Sequence, residues 1–150
     1  MDQNVWMGTA FNVGILLAFI ALVIFFILTL QNALKAVEIS NRTMQPAQVW
    51  YLFIPIFNIY WVFKIITAIS DSAKLQLETY SIYKEGRPTF YLGIAWAISF
   101  LLGRIPYIET LFAFVSLILW IVYWVKVSQL KKELLSYQEM YRFREEDSIL

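Results

Sequence analysis

Long runs of apolar residues, separated by short polar stretches, dominate the chain. The first run, residues 11–30, contains no charged residue. A helix of about 20 residues crosses a hydrocarbon core of about 30 Å, so this run predicts a transmembrane helix. Further runs at 46–69, 88–103 and 107–125 predict three more. The predicted fold class is therefore all-α: an integral membrane four-helix bundle built from two antiparallel hairpins, with cytoplasmic helical extensions.

The second run contains a charged residue, Lys64, and the third run is short. Lys64 lies 18 residues after Pro46. At about 1.5 Å per residue this spacing is roughly 27 Å in a helix, so we expect Lys64 to snorkel to the opposite interface. The third run, 88–103, is the shortest. It predicts either a complete span or a re-entrant segment, and a re-entrant segment would reduce the crossings to three and move the C-terminus to the other side.

Residues 126–147 predict an amphipathic helix that continues beyond the last span. Its apolar residues recur at alternating steps of three and four, as in a short heptad repeat. This candidate partner-binding stripe consists of Val127, Leu130, Leu134, Tyr137 and Tyr141. We expect it to pack against the extension of the second helix or against a partner, as a small stalk. The alternative is that each stripe lies on the membrane surface.

The composition supports a membrane setting. The chain is 60% hydrophobic and 15% charged, whereas a soluble domain is about a quarter charged. A small water-soluble domain has too little interior to bury such an excess. The net charge of +1 does not provide the basic face that nucleic acids require, so no nucleic-acid partner is predicted. The expected partners are membrane lipid and either another protein or further copies of this chain.

The sequence contains no cysteine and no histidine. Thiol nucleophiles, histidine-ligated haem and Ser-His-Asp catalysis are thereby excluded. A proton relay needs ionisable groups within the spans, and the predicted spans carry no carboxylate at mid-depth. We therefore predict a non-enzymatic protein without catalytic residues, cofactor-binding residues or a metal site. A membrane enzyme is the least favoured of the functions considered.

The second run contains the candidate residues Pro55, Asn58 and Trp61. Proline cannot donate a backbone hydrogen bond and clashes with the preceding turn, so we expect a kink at Pro55. Asn58 lies one turn further on, near the expected membrane centre, where its amide must be hydrogen bonded. These residues either fix helix packing, which is the preferred interpretation, or line a path for a solute or ion.

The third run contains a face of small residues at steps of four: Ala95, Ser99 and Gly103. Such faces let two helices approach closely in a membrane. Ordinary packing within the bundle is preferred over a dedicated dimer interface.

The distribution of basic residues predicts the orientation. With four alternating spans, nine basic residues fall on the side of both termini and three on the other side. Both termini are therefore expected in the cytoplasm. The nine are Lys64, Lys74, Lys84, Arg87, Lys126, Lys131, Lys132, Arg142 and Arg144, and the three are Lys35, Arg42 and Arg104.

A local pattern suggests a family. Residues 41–50 read N-R-T-M-Q-P-A-Q-V-W, and Ile54-Pro55, Phe57-Asn58, Trp61 and Asp71-Ser72 follow. This resembles a family of uncharacterised small bacterial membrane proteins, common in the Bacteroidetes, of which some relatives carry a GYF-like domain ahead of the membrane part. The resemblance covers roughly residues 31–75. It implies a bacterial inner-membrane setting and a shared role for residues 41–58, but it implies no mechanism.

These observations together predict a multi-pass protein of the bacterial inner membrane. The expected function is that of an accessory or scaffolding subunit of a larger membrane complex. The alternative is a small oligomeric channel or transporter with its path near Pro55 and Asn58.

Overall fold

The computed structural model describes residues 3–82 and 85–149. It contains four α-helices: α1 (Gln3–Lys35), α2 (Phe57–Thr79), α3 (Phe90–Leu102) and α4 (Glu109–Ile149). Two 3-10 helices, Ile39–Asn41 and Pro46–Phe53, lie between α1 and α2. The described residues contain no β-strand, which confirms the all-α class.

Two helices are long and apolar enough to cross a membrane. They are Thr9–Lys35 of α1 and Glu109–Asp147 of α4. Only 17% of the most apolar window of each is buried within the chain. The core helix of a soluble protein would be mostly buried, so this exposure separates α1 and α4 from that class. The third apolar helix, α3, is shorter than a complete span.

The predicted helix at 46–69 is not continuous, and this part of the prediction is wrong. Ile54 is extended, with φ −80° and ψ 113°, as expected for a residue that precedes proline. Ile56 has a positive φ of 68°. The chain therefore reverses around Pro55, where the sequence predicts a kinked helix. The 3-10 helix Pro46–Phe53 runs back along α2. The hydrogen bond from the Trp61 indole N–H to the Gln48 carbonyl, at 2.7 Å, shows this pairing.

Of the two predicted antiparallel hairpins, the second is present as α3 and α4, whereas the first is not formed, because α1 and α2 run in the same direction. Phe26 of α1 lies against Trp120 of α4, with ring centroids 5.5 Å apart. Twelve residues later in the chain, Glu38 accepts a hydrogen bond from Tyr80 at the end of α2, and Tyr80 packs on Tyr141 of α4 at 5.1 Å. Moving toward the C-terminus of α1 therefore moves toward the C-terminus of α4. The two helices are parallel, and α2 runs in the same direction.

Helix α3 is the one α-helix of the described residues that runs the other way. The Ser70 hydroxyl donates to the Pro88 carbonyl at 2.7 Å, just before α3 begins. Further along α3, Gly93 lies against Ile66 of α2 and Tyr123 of α4. The turn between α3 and α4 comes where the sequence predicts it. Beyond that turn, the fourth predicted span and the amphipathic tail form the single helix α4.

The buried core lies toward one end of the bundle. It is formed by the C-terminal half of α1, most of α2 and the middle of α4, with Leu34, Ile66 and Tyr123 at 1% exposure or less. Four aromatic rings from α3 and α4 surround Phe26: Trp96, Trp120, Tyr123 and Trp124. The Trp124 indole N–H donates to Thr29 at 2.8 Å and ties α4 to α1. The opposite end of the bundle is formed largely by exposed apolar residues.

Candidate functional site

A cluster of polar side chains joins the connection after α1 to the C-terminal half of α2. We call it the polar clasp. Its members are Glu38, Asn41 and Thr43 on the connection, and Ser72, Gln76, Thr79 and Tyr80 on α2 and at its end.

Gln76 is the centre of the polar clasp. Its side chain is completely buried. The Oε1 atom accepts hydrogen bonds from the backbone N–H of Glu38 at 2.8 Å and from the Asn41 amide at 3.1 Å. Asn41 also donates to the Thr79 hydroxyl at 3.0 Å. The Gln76 Nε2 atom has no hydrogen-bond partner among the described residues. One buried amide oxygen therefore satisfies two donors of a segment that has little helical hydrogen bonding of its own.

Thr43 forms the second part of the polar clasp. Its backbone N–H donates to the Ser72 hydroxyl at 2.9 Å, and its own hydroxyl lies 3.1 Å from the Ala68 carbonyl and 3.0 Å from the Ser72 hydroxyl. Ser72 and Gln76 are four residues apart, so both lie on one face of α2. This face aligns the connection antiparallel to α2.

Arg42 caps the end of α1. Its Nε atom donates to the Val37 carbonyl at 2.8 Å, and a terminal guanidinium nitrogen donates to the Lys35 carbonyl at 3.0 Å. The last carbonyls of a helix have no partner within the helix, and a cation near them is also favoured by the helix dipole. The Asn-Arg pair of the sequence pattern thus has two structural tasks: Asn41 binds α2, and Arg42 caps α1.

Tyr80 closes the polar clasp at its outer end. Its hydroxyl donates to a Glu38 carboxylate oxygen at 3.1 Å. Burial, together with the adjacent Glu38 carboxylate, raises the pKa of Tyr80 from 10 to about 12. The neutral phenol is therefore the form that the fold stabilises.

The 3-10 helix Pro46–Phe53 and α2 form a hairpin whose turn lies around Pro55. The candidate residues Pro55, Asn58 and Trp61 lie at or near this turn. Pro55 is exposed, and Asn58 is half-buried without a side-chain hydrogen bond to any described residue. Trp61 stacks on Phe57 with ring centroids 4.9 Å apart and binds the Gln48 carbonyl. Of the three, only Trp61 makes a contact that holds the two arms of the hairpin together. They do not enclose a path within the described part of the chain.

The predicted small-residue face is only partly used. Ser99 is buried, and Gly103 approaches the backbone nitrogen of Ala113, since a Cβ placed on Gly103 would be 3.5 Å from it. Ala95 is exposed. The tighter of the two glycine positions on α3 and at its end is Gly93, where an added Cβ would lie 2.7 Å from Ile66, and the buried Ala97 follows four residues later. Sequence reasoning missed this Gly-xxx-Ala pair, although its spacing is the same small-residue signal.

The heptad stripe of α4 faces the chain's own helices. Val127, Leu130 and Leu134 are at most 5% exposed. Tyr137 packs against the core, and Tyr141 packs against Tyr80. Of the expected alternatives, the structure shows packing between the extensions of α2 and α4, which covers the stripe up to Leu134 and leaves Tyr141 37% exposed.

The contacts account for most of the pattern that carried the family resemblance. Asn41, Arg42 and Thr43 have the roles given above, Met44 and Val49 are buried, and the Trp50 indole donates to Gln31 at 3.3 Å. Asp71 forms an ion pair with Arg87 at 2.9 Å. What the pattern encodes in this chain is the attachment of the connecting segment, with its two 3-10 helices, to α1 and α2. No family model, curated protein or solved structure matches the chain.

Proposed function

We propose that the protein is a non-enzymatic integral membrane protein that acts as an accessory or scaffolding subunit and packs its helices against another membrane protein or against copies of itself. The observation that carries the proposal is the exposed apolar surface of α1 and α4. Phe11, Leu17 and Phe25 of α1 are 61–70% exposed. Phe114 and Ile118 of α4 are exposed to the same degree.

This surface surrounds the helix and does not form a stripe. Every residue from Phe11 to Leu22 is exposed, which covers three turns and all faces of α1. Moving one large apolar side chain out of water is worth about 1.5–3 kcal/mol when its burial is complete. A helix that is apolar on all sides is stable only when lipid or other helices surround it.

The internal polar groups support a structural role over transport. Ser70, Ser72 and Gln76 are fully buried on α2, and each has a hydrogen bond that fastens another segment to it. They occupy one end of the bundle and do not continue along it. A path at Pro55 and Asn58 would have to form between protomers, since Pro55 lies on the surface. The family resemblance favours the bacterial inner membrane as the location.

Copurification followed by a flux measurement tests the proposal. The full chain is purified in mild detergent, its stoichiometric partners are identified, and the isolated species is tested for ion and solute flux in liposomes. We expect a defined partner or a homo-oligomer and no flux. A species that conducts, and that loses conduction in Asn58→Leu without losing stability, would refute the subunit role in favour of a channel.

Tryptophan substitution then locates the contact surface. Leu17→Trp on α1 and Ile118→Trp on α4 change side chains that are 61% exposed in both cases. Neither position contributes to the core, so folding is retained. At a lipid-facing position the larger side chain is tolerated, whereas at a helix–helix contact it prevents close approach. We expect one of the two variants to lose the partner while the other retains it.

A further inference from the structure

We propose that the hairpin formed by residues 46–79 is re-entrant: it enters and leaves the bilayer from the same side, with its turn at residues 53–57 among the lipid acyl chains. The inference rests on the proposed membrane location. It leaves α1 as the one net crossing, so that the N-terminal end of α1 and the C-terminal end of α4 lie on opposite sides. This replaces the sequence prediction that both termini are cytoplasmic.

Helices α1, α2 and α4 run in the same direction. Ile66 and Tyr123 both face Gly93, so positions four residues further on, Ser70 and Val127, mark one level of the bundle. Pro88 is bound at this level through Ser70. The connections that follow α1 and α2 therefore emerge at the same end as the C-terminal part of α4. The turns at residues 53–57 and 103–108 point toward the other end.

The hairpin of residues 46–79 is too short to cross the bilayer. From Ser70 down to Phe57, α2 descends 13 residues, or about 20 Å at 1.5 Å per residue. From Lys126 to Glu109, α4 descends 17 residues, or about 26 Å. The hydrocarbon core is about 30 Å thick. The turn between α3 and α4 thus approaches the far interface, whereas the turn at residues 53–57 ends about 10 Å short of it.

The side chains of the turn at residues 53–57 favour lipid as its surroundings. Its residues are Phe53, Ile54, Pro55, Ile56 and Phe57, without a charged or amide side chain. Turn positions with positive φ in water are usually occupied by Gly, Asn or Asp. Here the position is held by Ile56, a β-branched residue that is 85% exposed. By contrast, the connections at the other end contain Glu38, Arg42, Glu85, Gly86 and Arg87.

The basic residues are concentrated at one end of the bundle. In the parallel arrangement nine of the twelve basic residues lie at the end where α1 finishes, and only Arg104 of the described residues lies at the opposite end. The contact between Trp61 and Gln48 places Lys64 of α2 about level with Pro46. The sequence prediction that Lys64 lies roughly 27 Å from Pro46, at the opposite interface, is therefore wrong. Lys84 is outside the described residues. The nine are Lys35, Arg42, Lys74, Arg87, Lys126, Lys131, Lys132, Arg142 and Arg144.

The ten basic residues placed in this way divide nine to one, whereas the alternating topology divides the same ten seven to three. Basic residues near membrane spans accumulate on the cytoplasmic side. The end that carries the polar clasp is therefore cytoplasmic, and the turn at residues 103–108 is on the outer side. The connection after α1 and the C-terminal part of α4 then share one compartment, whereas four alternating spans would separate them.

Single-cysteine labelling tests the topology directly, because the chain has no cysteine of its own. The reporters are Ile39→Cys (82% exposed), Ser136→Cys on α4, Tyr107→Cys (103% exposed) and Ile56→Cys (85% exposed). Ile105→Cys gives a second reporter for the outer turn. A membrane-impermeant maleimide is applied to spheroplasts, to inside-out vesicles and to detergent-solubilised protein. The cysteine-free parent is the control for specificity.

The expected pattern is specific. Ile39→Cys and Ser136→Cys react in inside-out vesicles but not in spheroplasts, Tyr107→Cys and Ile105→Cys react in spheroplasts, and Ile56→Cys reacts only after detergent is added. Labelling of Ile39→Cys and Ser136→Cys from opposite sides would overturn the proposal and restore alternating spans. Labelling of Ile56→Cys by the aqueous reagent in either sealed preparation would overturn the re-entrant turn. Release of the protein from membranes by alkaline carbonate would instead refute the membrane location, and with it the proposed function.

Discussion

The contact at Gly93 allows a quantitative prediction, because the chain contains a matched control. Gly93 lies within α3 and Gly14 within α1. An added Cβ at Gly93 would lie 2.7 Å and 3.0 Å from two side-chain carbons of Ile66, and 2.8 Å from a ring carbon of Tyr123. An added Cβ at Gly14 would meet no atom within 4 Å.

The crowding at Gly93 cannot be relieved cheaply. Ile66 is 1% exposed and Tyr123 is completely buried. A β-branched side chain in a helix has one strongly preferred rotamer, so Ile66 has little freedom to turn away. Inserting a methyl group into a well-packed core costs about 1–3 kcal/mol. Replacing a helical glycine with alanine gains about 0.8–1 kcal/mol of helix propensity.

Both substitutions gain a similar propensity term, so the difference between them isolates the packing term. Gly14→Ala should leave the free energy of unfolding unchanged or raise it by up to about 1 kcal/mol. Gly93→Ala should lower it by up to about 2 kcal/mol after the propensity gain. The expected difference between the two variants is about 1–3 kcal/mol. Unfolding in a titration with sodium dodecyl sulfate, followed by tryptophan fluorescence, measures it.

A third variant tests the cause. Ile66→Ala removes two of the three carbons that crowd the added methyl group and leaves the Tyr123 ring carbon at 2.8 Å. It destabilises the chain by itself but makes room for that methyl group. In the Ile66→Ala background the cost of Gly93→Ala should therefore fall, because contacting residues are energetically coupled. Equal costs in both backgrounds, or equal stability of the Gly14→Ala and Gly93→Ala variants, would refute the packing argument.

The remaining predictions concern the polar groups, and the same unfolding titration measures each. Gln76→Leu should cost about 1–3 kcal/mol because it removes the buried acceptor of the Glu38 backbone N–H and of the Asn41 amide, whereas Asn41→Ala should cost about 1 kcal/mol. Arg42→Lys should also destabilise the chain, since an ammonium group cannot reproduce the fork that binds two carbonyls. Tyr123→Phe should stabilise it or leave it unchanged, because the buried hydroxyl has no partner among the described residues. The pKa of Tyr80 is raised to about 12, so its contribution to the free energy of unfolding is complete below about pH 10 and is lost as the pH rises toward 12. The stability difference between the parent and Tyr80→Phe should therefore shrink only in that window. A difference that does not change with pH would contradict this role of the Tyr80 hydroxyl.

Hydropathy predicts α1 and α4 well because their apolar character is a local property. It fails at residues 46–69 because a 3-10 segment, a turn and a helix of similar composition have the same hydropathy. The reversal depends on Ile54 being extended before proline and on Ile56 having a positive φ. The proline is visible in the sequence but is equally compatible with a kink. The positive φ is not visible, because the usual glycine or asparagine signal is absent.

The polar clasp is only partly visible in the sequence. Asn41 and Thr43 lie within the family pattern at residues 41–50, but that pattern does not include Gln76. A usable signal is present, since Ser72, Gln76 and Thr79 recur on one face of α2 with helical spacing. The partner of that face cannot be deduced. It is the connection after α1, which lies 29–38 residues earlier, and no local pattern specifies such a contact.

The positions of the core and of the polar clasp divide the bundle into two parts with different requirements. At the cytoplasmic end of the proposed topology, buried apolar residues and hydrogen bonds within the chain hold α1, α2 and α4 together. At the other end, the first half of α1, the turn at residues 53–57 and the first half of α4 have few neighbours from the chain itself. That half depends on its surroundings for order. Under the proposed function, a subunit whose self-contained half lies at the interface and whose dependent half lies in the bilayer binds through its membrane part. The exposed faces of α1 and α4 are where that proposal places a partner helix.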